Sequence, residues 1–247
     1  MSFRENIKAF IPESILNVLR AIRNRLVKKH RAELAFFTRE LKVLHGTFRN
    51  HHFERIMPAM AGESGDDFIE GKIVADFGCG PRGSLRWASK ARLRIGIDVL
   101  ADRFAEEFFE NFVSHGMVYL TSTERVIPLP SNCVDILFTL NAMDHVDSFP
   151  DMCGEIIRVI KPGGEFIGSF NLEEFPTPTE PQRLSVRMIH EHLLDRLEVR
   201  SYRISGYGAG SCSPGFNRYA PFFDGTTIPY EPGQRGVLWV RARKPAS

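Results

Sequence analysis

The run Val74-Ala-Asp-Phe-Gly-Cys-Gly-Pro-Arg-Gly83 decides how the rest of the chain is read. It begins as an apolar stretch, Lys72-Ile-Val-Ala-Asp-Phe77, which predicts a short buried strand, and passes directly into glycines. Glycine at a strand end lets the backbone turn sharply and lets a ligand approach it closely. Gly78, Gly80 and Gly83 satisfy the G-x-G-x-x-G spacing of a dinucleotide site, a weak signal alone. Asp98 ends the next apolar segment, Arg94-Ile-Gly-Ile-Asp98, where a carboxylate can accept hydrogen bonds from a ribose diol. This much fits a nicotinamide and an adenosyl cofactor equally, since both carry a ribose.

Outward from that run the apolar periods alternate. Strands are predicted at 117–120, 134–140, 165–170, 197–204 and 236–243, and helices at 84–90, 101–113, 149–160 and 185–194. With the two strands flanking the glycines, this predicts an α/β fold with a doubly wound, mostly parallel sheet of seven strands. Before it, residues 12–60 read as helical in three patterns. One is the stripe of Ile15, Val18, Leu19, Ile22 and Leu26, the next runs from Ala35 to a stop near Gly46, and the third covers Phe53 to Met60. The expected division is an N-terminal helical extension at 1–66 and a ligand-binding domain at 67–247. The latter includes a long loop at 206–235 rich in Gly, Pro and aromatics.

Composition excludes several classes. A net charge of +2 over 247 residues does not make an electrostatic nucleic-acid binder, and no nucleic-acid partner is expected. Charge is uneven, however, with 11 Lys or Arg against four acids in residues 1–50. That basic helix carries an expectation of peripheral membrane contact, weighed against a cap that packs on the protein with a solvated basic face. The four cysteines, Cys79, Cys133, Cys153 and Cys212, show neither disulfide nor zinc spacing and are read as reduced thiols. No apolar run approaches a membrane span, and the N-terminus lacks the pattern of a signal peptide. The expected location is cytoplasmic, with association at the inner membrane surface left open.

The later motifs separate the cofactors. The order Asp76-Phe-Gly-Cys-Gly80, Asp98, Ile127-Pro-Leu-Pro130, Val134-Asp135, Asn141-Ala-Met-Asp-His145 and Arg158-Val-Ile-Lys-Pro-Gly-Gly164 resembles the class I S-adenosylmethionine-dependent methyltransferases. The likeness is to the type 11 group with its Rossmann-like fold, and it spans roughly residues 70 to 171. The resemblance implies S-adenosylmethionine as cofactor and S-adenosylhomocysteine as product. It implies that Gly78, Cys79 and Gly80 line the adenosine and methionine moieties, and that Asp76 sits near the cofactor's amino group. Asp98 would hold the ribose hydroxyls, with Val99 beside the adenine. Thr123 falls on the family's usual acidic column and Glu124 one residue later, which leaves two candidates for the adenine contact. Asn141 would approach the methionine part by its carbonyl.

His145 matches the family's frequent histidine and is the one catalytic candidate, as a residue that orients or deprotonates the acceptor. The bland alternative is a histidine that packs or caps the turn. The cluster Asp144, His145 and Asp147 lacks a supporting ligand set elsewhere, so no metal is expected. The acceptor is expected to be a small molecule or glycan, with O-methylation favoured. It would be held by residues 171–183 and by the loop carrying Tyr207, Phe216, Tyr219, Phe222, Phe223 and Tyr230. The rivals are a nicotinamide oxidoreductase, which lacks an evident hydride-transfer constellation here, and a non-catalytic scaffold.

Overall fold

The computed structural model describes residues 13–207, 223 and 227–246, with side chains from residue 28 onward. Seven strands form one sheet: β1 (Ile73–Phe77), β2 (Leu93–Asp98), β3 (Val118–Thr121), β4 (Val134–Leu140), β5 (Ile160–Leu172), β6 (Glu198–Gly206) and β7 (Gly236–Arg243). Their order is β3-β2-β1-β4-β5-β7-β6. The first five run parallel to one another, and β7 lies antiparallel between β5 and β6. The chain direction reverses its progress across the sheet at β1 and β4. In an open α/β sheet that switch point is where a crevice opens outside the strand C-termini.

The two faces follow from side-chain alternation along the strands. Ala75, Phe77, Ile97 and Leu137 pack on one face against α5 (Phe149–Val159) and α6 (Val186–His192). Helix α5 starts where the Ser148 hydroxyl accepts from the Asp151 amide, with Pro150 in the first turn. It buries Phe149, Met152, Cys153, Ile156 and Ile157, each contributing roughly 1.5–3 kcal/mol of apolar burial for the larger side chains. Val74, Ile136, Phe138, Ile167 and Trp239 face the other way, onto α2 (His51–Ala61), whose Phe53, Ile56, Met57 and Met60 complete that core.

Three expectations change. Residues 84–90 do not form a helix: they run as turns between β1 and β2, with Leu85 and Ala88 buried against α2. The 101–113 helix is two pieces, α3 (Ala101–Glu107) and α4 (Phe109–Ser114), broken at Phe108 so that Phe104, Phe108 and Phe112 all enter one cluster. The first two N-terminal patterns are a single helix, α1 (Glu13–Val43), which ends as Gly46 at φ +90° donates its amide to the Leu41 carbonyl. The Lys161-Pro-Gly-Gly164 stop holds, with α5 ending at Val159. The strand resumes at Ile160, and pairing with β4 jumps from Ile160 to Glu165.

No described helix is long and apolar enough to cross a membrane. Of the basic helix at 15–29 expected to meet a membrane, residues 15–27 lie outside the described side chains, while Lys29 is buried against Glu124; Phe216, Tyr219 and Phe222 lie outside the described residues. Cys79, Cys133 and Cys153 are free thiols.

Candidate active site

The crevice at the switch point is a cavity of about 600 Å³. Its floor is the glycine turn after β1. Gly78 has φ +75°, and a Cβ there would lie 2.1 Å from the Ala142 Cβ, so only glycine lets the turns after β1 and β4 meet. Gly80 has φ +56° with the Phe37 ring above it, where a Cβ would lie 3.3 Å from the ring carbon Cζ. At the end of β2, one carboxylate oxygen of Asp98 accepts the Gly80 amide at 3.0 Å and the other accepts the Leu100 amide at 2.9 Å. Asp98 thus fixes the glycine turn while its remaining lone pairs face the cavity it lines. Burial pushes its carboxyl up to about 6, against the pull of those two amides.

Of the residues expected at the site, Gly78, Gly80, Asp98, Val99, Glu124, Asn141 and His145 line this one cavity. Asp76, Cys79 and Thr123 do not. Strand alternation turns Asp76 into the protein, where the Ser84 hydroxyl donates to one carboxylate oxygen and the other has no partner. Burial raises its carboxyl to about 7. The Cys79 thiol points under the turn toward Gly96 of β2, and burial raises its pKa. The Thr123 hydroxyl accepts from the Arg125 and Val126 amides and so shapes its own turn. Of the two adenine-side candidates, Glu124 is the one on the cavity wall.

The opposite wall comes from α1, which the motifs did not announce: Lys29, Ala32, Glu33, Phe36 and Phe37. Lys29 is 3% exposed, and a lysine so buried requires partners. Its ammonium donates to Glu124 at 2.9 Å and to the His145 carbonyl. Burial pushes the Glu124 carboxyl up, but the bonds from His30 and Lys29 outweigh it and hold the group below its ordinary range. Phe37 stands edge-on to Phe104 of α3 at 5.3 Å, and Arg82 lies over the Phe37 ring while making a two-point ion pair with Glu40. The apolar stripe with Phe36 was visible in the sequence; nothing local said that it folds over the glycine turn.

Asn141 begins the turn after β4 at φ +50°, a conformation asparagine tolerates, and accepts from the Ser169 hydroxyl. Two elements hold that turn. From one side, Glu33 of α1 lies 3.2 Å from His145 Nδ1. From the other, the Gln182 amide donates to the Asp144 carbonyl and its side chain to the carbonyls of Val146 and Asp147. The second contact brings Thr179 and Glu180 to the cavity rim, within the 171–183 segment expected to meet the acceptor. Desolvation works against charge on His145, but Glu33, Asp144 and Glu180 around it raise its pKa overall. Asp144, His145 and Glu180 each offer one donor atom, all within 4.8 Å of one another. The third member that the sequence cluster lacked therefore comes from Glu180, while Asp147 stays out of the group. On the loop side, the Tyr207 hydroxyl donates to Asn171 on the cavity wall, whereas Phe223 packs under Arg55.

Residues 75–168 match the family described as the methyltransferase domain, type 11. The malonyl-[acyl-carrier protein] O-methyltransferase of Pectobacterium atrosepticum is 30% identical over 112 residues, 45% of this chain and 41% of that protein. The chain thus matches less than half the length of this curated relative. Among solved structures, a chain of the complex between the Haloferax volcanii Trm112 methyltransferase activator and a methyltransferase superposes with a TM-score of 0.59. It has 16% identity and covers 88% of this chain and 97% of that one. The [4+2]-cyclase SpnF superposes at 0.56 with 18% identity, covering 78% and 81%. These likenesses are of fold. The family match spans the glycine turn, the strand ending at Asp98 and the turn carrying His145, so this part of the chain is similar to the type 11 methyltransferase domain.

Proposed function

We propose that this protein transfers the methyl group of S-adenosylmethionine to an oxygen of a small-molecule or saccharide acceptor. The observation that carries the reading is the single cavity in which Gly78, Gly80 and Asp98 meet Asn141 and His145 at the strand C-termini. The adenosine would lie over Val99 with its ribose on Asp98 and its adenine end toward Glu124. The methionine end would lie along Asn141, and the methyl group would point toward His145, Asn171 and Glu180.

The sulfonium is already activated, so the protein has to align an oxygen in line with the methyl carbon and keep water away. S-adenosylmethionine would supply the activated methyl and leave as S-adenosylhomocysteine, its C–S bond breaking as the O–C bond forms, and the polar cluster around His145 would take the acceptor's proton. Helix α1 suits the exclusion of water, since Phe36 and Phe37 close the wall across from the glycines. The O-methyltransferase relative favours oxygen as the acceptor atom. SpnF, a cyclase on the same fold, is the reason that fold alone does not settle the reaction.

The test is transfer of isotope-labelled methyl from S-adenosylmethionine into a panel of sugars, hydroxy acids and carrier-linked acyl carboxylates. Label in a methyl ether or ester, with stoichiometric S-adenosylhomocysteine, is the expected result. Label that enters amines or thiols and no oxygen acceptor contradicts the oxygen assignment.

A further inference from the structure

We infer that Asp144, His145 and Glu180 form a binding site for one divalent first-row metal ion at the rim of the cavity. Three observations on two separate segments, the turn after β4 and the 171–183 stretch, converge there. Asp144 Oδ1 is buried and has no hydrogen-bond partner, although its side chain is only 5% exposed. It lies 3.9 Å from His145 Nε2, and Glu180 Oε1 lies 3.6 Å from the same nitrogen. A buried carboxylate oxygen left without a donor costs stability unless a cation completes it.

The geometry suits a metal. Two donors each about 2.1 Å from one ion, at angles near 90–110°, lie roughly 3.0–3.5 Å apart. Small side-chain rotations close the present separations to that range. The imidazole is turned correctly as well. Glu33 faces Nδ1 at 3.2 Å, so Nδ1 carries the proton toward that carboxylate and Nε2 is left as the lone-pair donor aimed at Asp144 and Glu180. A carboxylate behind a ligating histidine is the usual outer support of a metal site.

Charge argues the same way. Glu33, Asp144 and Glu180 surround one imidazole, while nearby cations are already engaged: Lys29 with Glu124, Arg183 with Glu173 and Arg235 with Glu174. Two carboxylates and one imidazole select a borderline divalent ion such as Mn²⁺ or Zn²⁺ over a soft one. With three protein ligands, open positions would remain for water or for an acceptor oxygen. That use of the ion rests on the methyl-transfer reading; binding of the ion does not.

The test strips the full chain with chelator and titrates it with Mn²⁺, followed by electron paramagnetic resonance, and with Zn²⁺, followed by calorimetry. S-adenosylmethionine is titrated into the same samples. The expected result is one ion per chain. Asp144→Asn should weaken binding about 100-fold and Glu33→Gln about 10-fold, in line with losses at ligands and their supports. Glu180→Gln, at the half-exposed rim, keeps the test valid should Asp144→Asn fail to fold, and should also weaken binding at least about 10-fold. No saturable binding of either ion up to millimolar, or binding unchanged in Glu180→Gln and Asp144→Asn, overturns the site. Cofactor binding without metal binding removes the metal site alone, and metal binding without cofactor binding removes the methyl-transfer reading alone.

Discussion

The two walls of the cavity are built differently. One wall is the turn after β1 and the end of β2, where Gly78, Gly80, Asp98 and Val99 lie within about two dozen residues of chain. The other is α1, whose Lys29, Glu33 and Phe37 reach across 43 to 116 residues of sequence to Gly80, Glu124 and His145. The first wall is a property of local backbone: glycines at positive φ and a carboxylate that ties them down. The second is a property of tertiary packing, held by one buried ion pair and a cluster of phenylalanines. Changes to the first should therefore act on ligand affinity, and changes to the second on the stability of the closed cavity.

The largest effect is expected at the α1 wall. Lys29→Met leaves Glu124 buried without its ammonium and should cost about 3–5 kcal/mol in chemical denaturation. Adding Glu124→Leu should recover most of that loss; no recovery would mean that the pair is not what holds α1 down. At the other wall, Asp98→Ala should weaken S-adenosylmethionine binding about 100-fold if, as proposed, its carboxylate takes two charge-assisted hydrogen bonds from the ribose. Unchanged calorimetric affinity would take Asp98 out of the site.

A third prediction concerns Asp76, beneath the first wall. Its folded carboxyl titrates near 7 against an ordinary 3.8, so between those values the folded chain holds a proton that the unfolded chain has released. Stability should fall as pH rises across that window, by at most about 1.4 kcal/mol per pH unit, and level off above pH 7. In Asp76→Asn that contribution to the slope should vanish in thermal melts taken from pH 4 to 8; an unaltered slope would contradict the burial of Asp76. The smallest effect is expected at Arg82→Gln, which removes the half-exposed pair with Glu40 and should cost under about 1 kcal/mol in the same melts.

The same contrast explains what was legible in the sequence. β7 was predicted at 236–243 and lies there, because an apolar run bounded by Gly236 and Lys244 has one buried solution. Gly78, Asp98 and Asn141, expected together from local motifs at strand ends, line one cavity. The 84–90 stretch was misread as a helix, whereas it runs as turns that bury Leu85 and Ala88 in the cluster with α2. Cys79 and Thr123 were drawn into the site by their neighbours in the motif, whereas the Cys79 thiol points under the glycine turn toward β2 and the Thr123 hydroxyl is spent on its own turn. Lys29 and Glu33 read as ordinary charges of a basic helix, and Glu180 only as one residue of the 171–183 acceptor segment. Only the fold brings Glu33 to His145 and Glu180 to Asp144.

The most direct test of the central claim is calorimetric titration of the purified full chain with S-adenosylmethionine, S-adenosylhomocysteine and NADH in parallel. The account predicts saturable 1:1 binding of both adenosyl ligands and none of NADH. Binding of NADH without the adenosyl ligands would contradict it and return the glycine turn to a nicotinamide oxidoreductase.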